Sequence, residues 1–242
     1  YIGDFCSIDR LLTETDEVFS YAIDRTPLTK ENLWRSMIIL VPNSDAYNGV
    51  TEFKDGVPMA ICPPSSRPYP QDTRGVIQHE AGGHGFGRLA DEEITWSLWP
   101  SNGVLENIRE KQSWGWYQNI STTSNMKQVP WADFIFDPRY SDIVDVYEGG
   151  YFHSRGVFRS EYNSCMNNNV PYFSTISRQA IVERIKLYAG EAFSFEDFVE
   201  NDSREWGIDD TDPVQTRSMG MIDISVPAYR HEPIIIEGSP LD

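Results

Sequence analysis

Gln78-His79-Glu80-Ala81-Gly82-Gly83-His84-Gly85-Phe86-Gly87-Arg88-Leu89-Ala90-Asp91-Glu92 is the stretch on which the reading of this chain turns, because it holds two of the four histidines with a glutamate directly after the first. Imidazole is a borderline ligand suited to zinc. A carboxylate beside the first ligand can take a proton from a metal-bound water, whose pKa the metal lowers to about 7. This is the logic of the His-Glu-x-x-His zinc helix, with one departure: His84 follows His79 by five positions instead of four. At about 100° per residue, a four-residue step leaves two side chains about 40° apart and a five-residue step about 140° apart. A regular α-helix cannot chelate one ion with both.

A single π-bulge absorbs the extra residue and returns His84 to the face of His79, and such bulges concentrate at functional sites. Gly82 and Gly83 stand where that distortion is needed. Glycine costs about 1 kcal/mol per residue in a helix relative to alanine, so several in one helix argue for a backbone or packing requirement. Gly87 lets the chain turn back, after which Asp91 or Glu92 can supply a third, oxygen ligand. The competing reading is that His79 and His84 are ordinary histidines of a glycine-rich loop. The glycines fit no phosphate-binding fingerprint: no Lys follows them, and they lie inside a helical pattern instead of after a strand.

Outward from this segment, Pro68, Pro70 and Asp72-Thr73 form a breaker and cap, and Val76, Ile77, Ala81, Phe86, Leu89 and Ala90 give the helix its apolar positions. Upstream, residues 14–24 carry Val18, Phe19, Ala22 and Ile23 at helical spacing. Residues 36–41 read as a buried strand, and 57–62 as a shorter strand, at the sheet edge and able to align a peptide by strand addition. Downstream, residues 104–116 read as a helix, 143–147 and 150–158 as a strand pair around Gly149-Gly150, and 176–188 as an amphipathic helix. Residues 213–242 read as extended and Pro-broken.

The chain has 242 residues, 40% of them hydrophobic, enough for one sizeable core or a core split across a cleft, and a single domain spanning 1–242 is expected. Its net charge of -17 argues against nucleic acid and anionic membranes as partners. No apolar run approaches the roughly 18 residues of a membrane span. The chain opens at Tyr1 without an initiator Met or a leader, read as a leader removed on export or as trimming. Cys6, Cys62 and Cys165 are too few for a disulfide framework, and buried free thiols are the plain reading.

The run from His79 to Glu92 resembles the zinc-binding stretch of the metallopeptidase family typified by bacterial IgA peptidase, in which a zinc helix is followed by Phe-Gly and then Leu-Ala-Asp-Glu. Phe86-Gly87-Arg88-Leu89-Ala90-Asp91-Glu92 carries that likeness. The family is similar to the metzincins, whose metal is underlain by a methionine turn, and Ser164-Cys165-Met166-Asn167 resembles that turn. Tyr1-Ile2-Gly3-Asp4 resembles the family's opening strand, and Gly156-Val157-Phe158-Arg159 its later block. The longer helix is similar to the His-Glu-x-x-x-His helix of dipeptidyl peptidase III, an unrelated family that keeps its zinc. No Tyr follows Met166 by two, where astacin-like metzincins place a transition-state residue. Tyr151, Arg159 or Tyr172 stand as substitutes in binding substrate.

The resemblance implies an α/β (α+β) fold of zincin or metzincin type, with a small twisted mixed sheet, an active-site helix, an upper subdomain of about 1–92 and a mainly helical lower subdomain of about 93–242. It implies one Zn2+ per chain held by His79, His84 and Asp91, which it favours over Glu92, with Glu80 as general base and Met166 as the structural turn. The implied activity is a metallo-endopeptidase acting on protein or peptide substrates, secreted, periplasmic or on the surface of a bacterium. In such a fold Cys62 and Cys165 come close enough to bridge. The alternatives are a zinc amidase acting on cell-wall peptides or glycopeptides, and an inactive binding protein on a peptidase scaffold. His153 and His231 are expected to be non-catalytic.

Overall fold

The computed structural model describes residues 15–29, 32–43, 49–96, 98–203 and 234–237. The resemblance at Tyr1-Ile2-Gly3-Asp4, Cys6 and His231 lie outside the described residues. The architecture is mixed α/β, with two small mixed sheets and helices around them.

Helix α1 (Thr15–Arg25) packs through Phe19 on the first sheet. That sheet runs in the order β1 (Ile38–Leu40), β3 (Val57–Ile61), β2 (Val50–Lys54), β8 (Ile234–Glu237). β3 pairs parallel with β1 and antiparallel with β2, and every one of its residues is buried. The edge position expected for 57–62 is therefore corrected: β3 is central, and its Val-Ile content suits a strand covered on both faces. A peptide cannot add to it. Strand alternation divides its side chains, with Val57, Met59 and Ile61 in the α1 core and Ala60 and Cys62 facing Val76 and Ala81 of the following helix. Small residues on that second face let the helix approach the sheet closely.

Helix α2 (Thr73–Ile77) starts at Asp72, whose carboxylate accepts from Gly75 N at 3.2 Å. It passes directly into a π-helical segment, Gln78–Phe86. The expected distortion is present and extends over nine residues instead of a single bulge. The chain then turns at Arg88, whose φ is 56°, and leaves through the irregular run 89–93 into β4 (Ile94–Trp96).

The second half carries its own sheet in addition to helices, so it is less helical than expected. β7 (Phe152–Arg159) is flanked by β4 and β5 (Ile120–Ser121) and also pairs with β6 (Tyr147–Gly150). The strand pair is thus shifted from the expected 143–147 and 150–158. Helix α3 (Asn102–Ser113) is capped by Ser101 and closes a core of Phe53, Ala90, Ile108, Trp116, Tyr117, Ile120, Tyr151 and Val157. Short helices α4 (Ala132–Phe136) and α5 (Cys165–Asn168) follow, the latter ending at Asn169 with φ 57°.

Helix α6 (Thr175–Ala189) forms where expected and stops at Gly190, whose φ of 72° ends it. Its apolar residues do not make one buried stripe, however. Burial is confined to the first turn, Thr175 to Ser177, while Ile185 and Leu187 stay exposed. Helix α7 (Phe195–Asn201) packs Phe198 and Val199 with Trp131, Phe134 and Tyr140 in a third core. Of the expected extended tail, Ile234–Glu237 is described and forms β8, parallel to β2. No helix among the described residues is long and apolar enough to cross a membrane.

Candidate metal centre

The π segment solves the five-residue problem geometrically. Its backbone bonds run one residue further than in an α-helix, as in Gly87 N donating to Gly82 O at 2.9 Å, so residues five apart fall on one face. His79 and His84 are both 1% exposed, and their Nε2 atoms lie 3.1 Å apart. Asp91, fully buried, completes the group: Oδ1 is 3.1 Å from His79 Nε2 and Oδ2 is 3.4 Å from His84 Nε2. These three residues form a candidate metal-binding group whose ligand atoms all lie within 4.8 Å of one another.

The tautomers follow from the outer contacts. A carbonyl can only accept, so His79 Nδ1 donates to Cys165 O at 3.0 Å and His84 Nδ1 donates to Leu89 O at 2.8 Å. In neutral rings both Nε2 atoms then turn lone pairs toward each other and toward a carboxylate, and Asp91 Oδ2 is buried without a hydrogen bond. Such a convergence is repulsive unless a proton or a cation sits within it. In the absence of metal the proton is the available solution. Burial opposes charge on His84, but the close carboxylate of Asp91, with Glu80 adding, raises its pKa to about 9. Burial likewise opposes charge on Asp91, and the two histidines overcome it and hold the carboxyl well below the usual range. A tetrahedral zinc ion with ligands at about 2.0–2.2 Å sets neighbouring donors about 3.3–3.6 Å apart; the 3.4 Å separation meets that requirement, and the two 3.1 Å separations fall about 0.2 Å short of it.

Glu80, 2% exposed, stands next to the first ligand. Thr51 Oγ1 of β2 is 2.9 Å from Glu80 O and 3.0 Å from Glu80 Oε2, and a Cβ at Gly49 would come within 2.6 Å of Glu80 Oε1. The strand therefore reaches the carboxylate only because residue 49 has no side chain. On the opposite side, a Cβ at Gly83 would collide with Met166 Sδ, while one at Gly82 would only touch Phe173 at 3.4 Å. Met166 is fully buried against the π segment.

Glu92, the other carboxylate considered as third ligand, turns elsewhere. Its Oε2 accepts from Ser164 Oγ at 2.6 Å and its Oε1 from Asn119 Nδ2 at 2.9 Å. Burial raises its pKa to about 7, against the lowering effect of those two hydrogen bonds and of Arg159. The remaining residues singled out in the sequence have internal partners. Tyr151 is buried with its hydroxyl 3.5 Å from Asn107 Oδ1, Arg159 donates to Gly149 O at 2.7 Å and to Tyr162 O, and Tyr172 donates to Glu161 at 2.7 Å. Tyr151 does contribute its backbone, donating to Asp91 O at 3.0 Å. Cys62 and Cys165 are buried free thiols and form no bridge. Burial, with Glu80 nearby, pushes the Cys62 thiol far up.

Thr51 and Asn119 were not legible in the sequence, since neither sits in a motif and each reaches the site from a distant strand or turn. No family model and no curated protein matches this chain.

Proposed function

We propose that this chain is a zinc-dependent metallo-endopeptidase of metzincin-like zincin architecture, acting on protein substrates outside a bacterial cell. The observation that carries the reading is the convergence of His79 Nε2, His84 Nε2 and the Asp91 carboxylate on one buried point, with Glu80 next to the first ligand. Two imidazoles and a carboxylate are a donor set suited to zinc with one position left for water. The resemblance of residues 79–92 and 164–167 to the family typified by IgA peptidase supports peptide bonds as the target. Export and the zincin fold rest on that same resemblance.

His79, His84 and Asp91 would hold zinc, which would supply Lewis-acid polarisation and a more acidic water at the open position. Glu80 takes the proton of the attacking water and delivers it to the leaving amine, a general acid–base role that contributes typically 10²–10⁴-fold. Thr51 and Gly49 keep the Glu80 carboxylate in one orientation. Met166 supports the π segment from beneath as the methionine turn.

Elemental mass spectrometry of the purified protein and of His84→Ala tests the metal. About one zinc per chain is expected in the first and none in the second. Cleavage of a peptide library then tests the reaction, with Glu80→Gln expected to retain zinc and lose hydrolysis by about 10²-fold or more. Zinc present with no cleavage of any peptide, but with cleavage of muropeptides, would shift the reading to a cell-wall amidase. Absence of zinc even after incubation with excess metal overturns both.

A further inference from the structure

The segment that delivers Asp91 is held at every residue, and its partners come from four separate places in the chain. Leu89 N donates to Gly83 O at 3.1 Å, Tyr151 N donates to Asp91 O at 3.0 Å, Glu92 N donates to Met166 O at 2.8 Å and Phe152 N donates to Glu93 O at 2.8 Å. Ala90 is held on both sides by one side chain: Asn119 Oδ1 accepts from Ala90 N and Asn119 Nδ2 donates to Ala90 O, each at 2.8 Å. The same Nδ2 reaches Glu92 Oε1, and Glu92 Oε2 takes the Ser164 hydroxyl. Asn119, Glu92 and Ser164 have no exposed surface.

Ser164 immediately precedes Cys165, whose carbonyl fixes the tautomer of His79, and Leu89, whose carbonyl fixes His84, immediately precedes Ala90. We propose that Glu92, Asn119 and Ser164 form a positioning clamp that sets the geometry of all three metal ligands, with Glu92 serving as the tie between the Asp91 segment and the Cys165–Met166 turn instead of as a ligand. Asn119 fixes the run that carries Asp91 and, through Leu89 O, the ring of His84. Ser164 fixes the turn that presents Cys165 O to His79. Glu92 joins the two halves. Partners of this kind tune metal sites by 10–100-fold in affinity when removed.

The proposal rests on the metal reading above but not on peptide hydrolysis, so its test uses cobalt(II) alone. Cobalt is titrated into metal-free wild type, Asn119→Ala, Glu92→Ala, Glu92→Gln and Ser164→Ala, and the visible d–d spectrum is recorded with the affinity. Expected are a loss of about 10–100-fold in affinity with a changed spectrum for Asn119→Ala and Glu92→Ala. Ser164→Ala, which removes one bond, is expected to lose less. Glu92→Gln is expected to restore the wild-type spectrum, because its amide oxygen accepts from Asn119 and its amide nitrogen donates to Ser164. A purely structural role would leave the spectrum of the folded variants unchanged. If either alanine variant fails to fold, Ser164→Ala and Glu92→Gln decide. Wild-type affinity and spectrum in Ser164→Ala, or a ligand-loss phenotype in Glu92→Gln, overturns the clamp. A wild type that takes up no cobalt overturns the metal reading itself, whereas a good cobalt site that cleaves no peptide overturns only the proposed reaction.

Discussion

His79 and His84 reach the candidate metal centre by a different physical route from Asp91. The two histidines share one helical segment, and their relative position is set by nine residues of local backbone hydrogen bonding. Asp91 sits on an irregular run outside the helix, and its place is set by contacts to residues 83, 119, 151 and 166. The backbone spacing of the two histidines is set locally, whereas their ring orientations and the place of Asp91 depend on contacts outside the helix. The ligand pair and the third ligand should therefore fail in different ways.

The largest expected effect is at Asp91. Asp91→Ala removes the only carboxylate among the three donors, leaves two facing imidazoles, and should abolish stoichiometric metal as completely as His84→Ala does. The check is metal content together with melting temperature. A ligand held at 100 times its Kd stabilises the folded state by about 2.7 kcal/mol, which for a chain of this size is roughly 5–11 °C that a chelator should remove from wild type and not from Asp91→Ala. Equal response of the two to chelator would show that Asp91 does not bind metal.

Next in size is a pair of neighbouring glycines. Gly83→Ala drives a methyl group into Met166 Sδ, and overpacking of this kind costs about 1–3 kcal/mol. Gly82→Ala meets only the edge of Phe173 at an ordinary distance and should be near neutral, or stabilising by up to about 1 kcal/mol through helix propensity. Thermal melts of the metal-free proteins separate the two. If Gly82 is the costly position, the close approach of Met166 is not what the glycines serve.

The sequence made the local half of this site legible and the long-range half only in outline. The five-residue spacing, taken with Gly82 and Gly83, is enough to require a π distortion, because helical geometry converts a residue count directly into an angle. Its extent was not readable, since backbone bonding over nine residues depends on β3 and Met166 packing around it. Asp91 over Glu92 came from resemblance; the physical reason, that Glu92 is occupied by Asn119 and Ser164, needs the fold. The central place of β3 was missed for a similar reason. Residues 57–62 read as an edge strand, yet the strand is paired on both sides, and pairing partners are not written in a strand's own residues.

The pH dependence sharpens the same comparison. In metal-free protein the raised pKa of His84, about 9, contributes stability that is fully present below its ordinary value of 6.5 and is lost as pH rises through about 9. The depressed Asp91 contributes stability present above its ordinary 3.8 and lost as pH falls through its lower folded value. Metal binding runs the other way at His84, because the ion must displace that proton. Apparent zinc affinity should rise about tenfold per pH unit between pH 6 and 8, roughly 1.4 kcal/mol per unit. Competition titrations with a chelator of known pH dependence measure the slope, and a flat profile would mean that His84 carries no proton in the metal-free site.

The smallest effect is expected behind the π segment, at Cys62. Its sulfur packs with Ala60, Val76 and Ala81, and Met37 lies partly buried beside them. Cys62→Ala removes one buried atom and should cost about 0.5–1.5 kcal/mol, in the range of trimming a methyl group from a core. A disulfide to Cys165 would instead put the loss of either cysteine at roughly 2–5 kcal/mol and make wild type sensitive to reductant. Because the contact to His79 runs through the Cys165 backbone carbonyl, which the substitution keeps, Cys165→Ala should also keep cobalt affinity and spectrum unchanged. Unfolding curves with and without reductant, run on both variants, distinguish the cases: a loss above 2 kcal/mol that vanishes in reductant would mean that the two thiols pair, and that a covalent bond ties the turn carrying Met166 to β3.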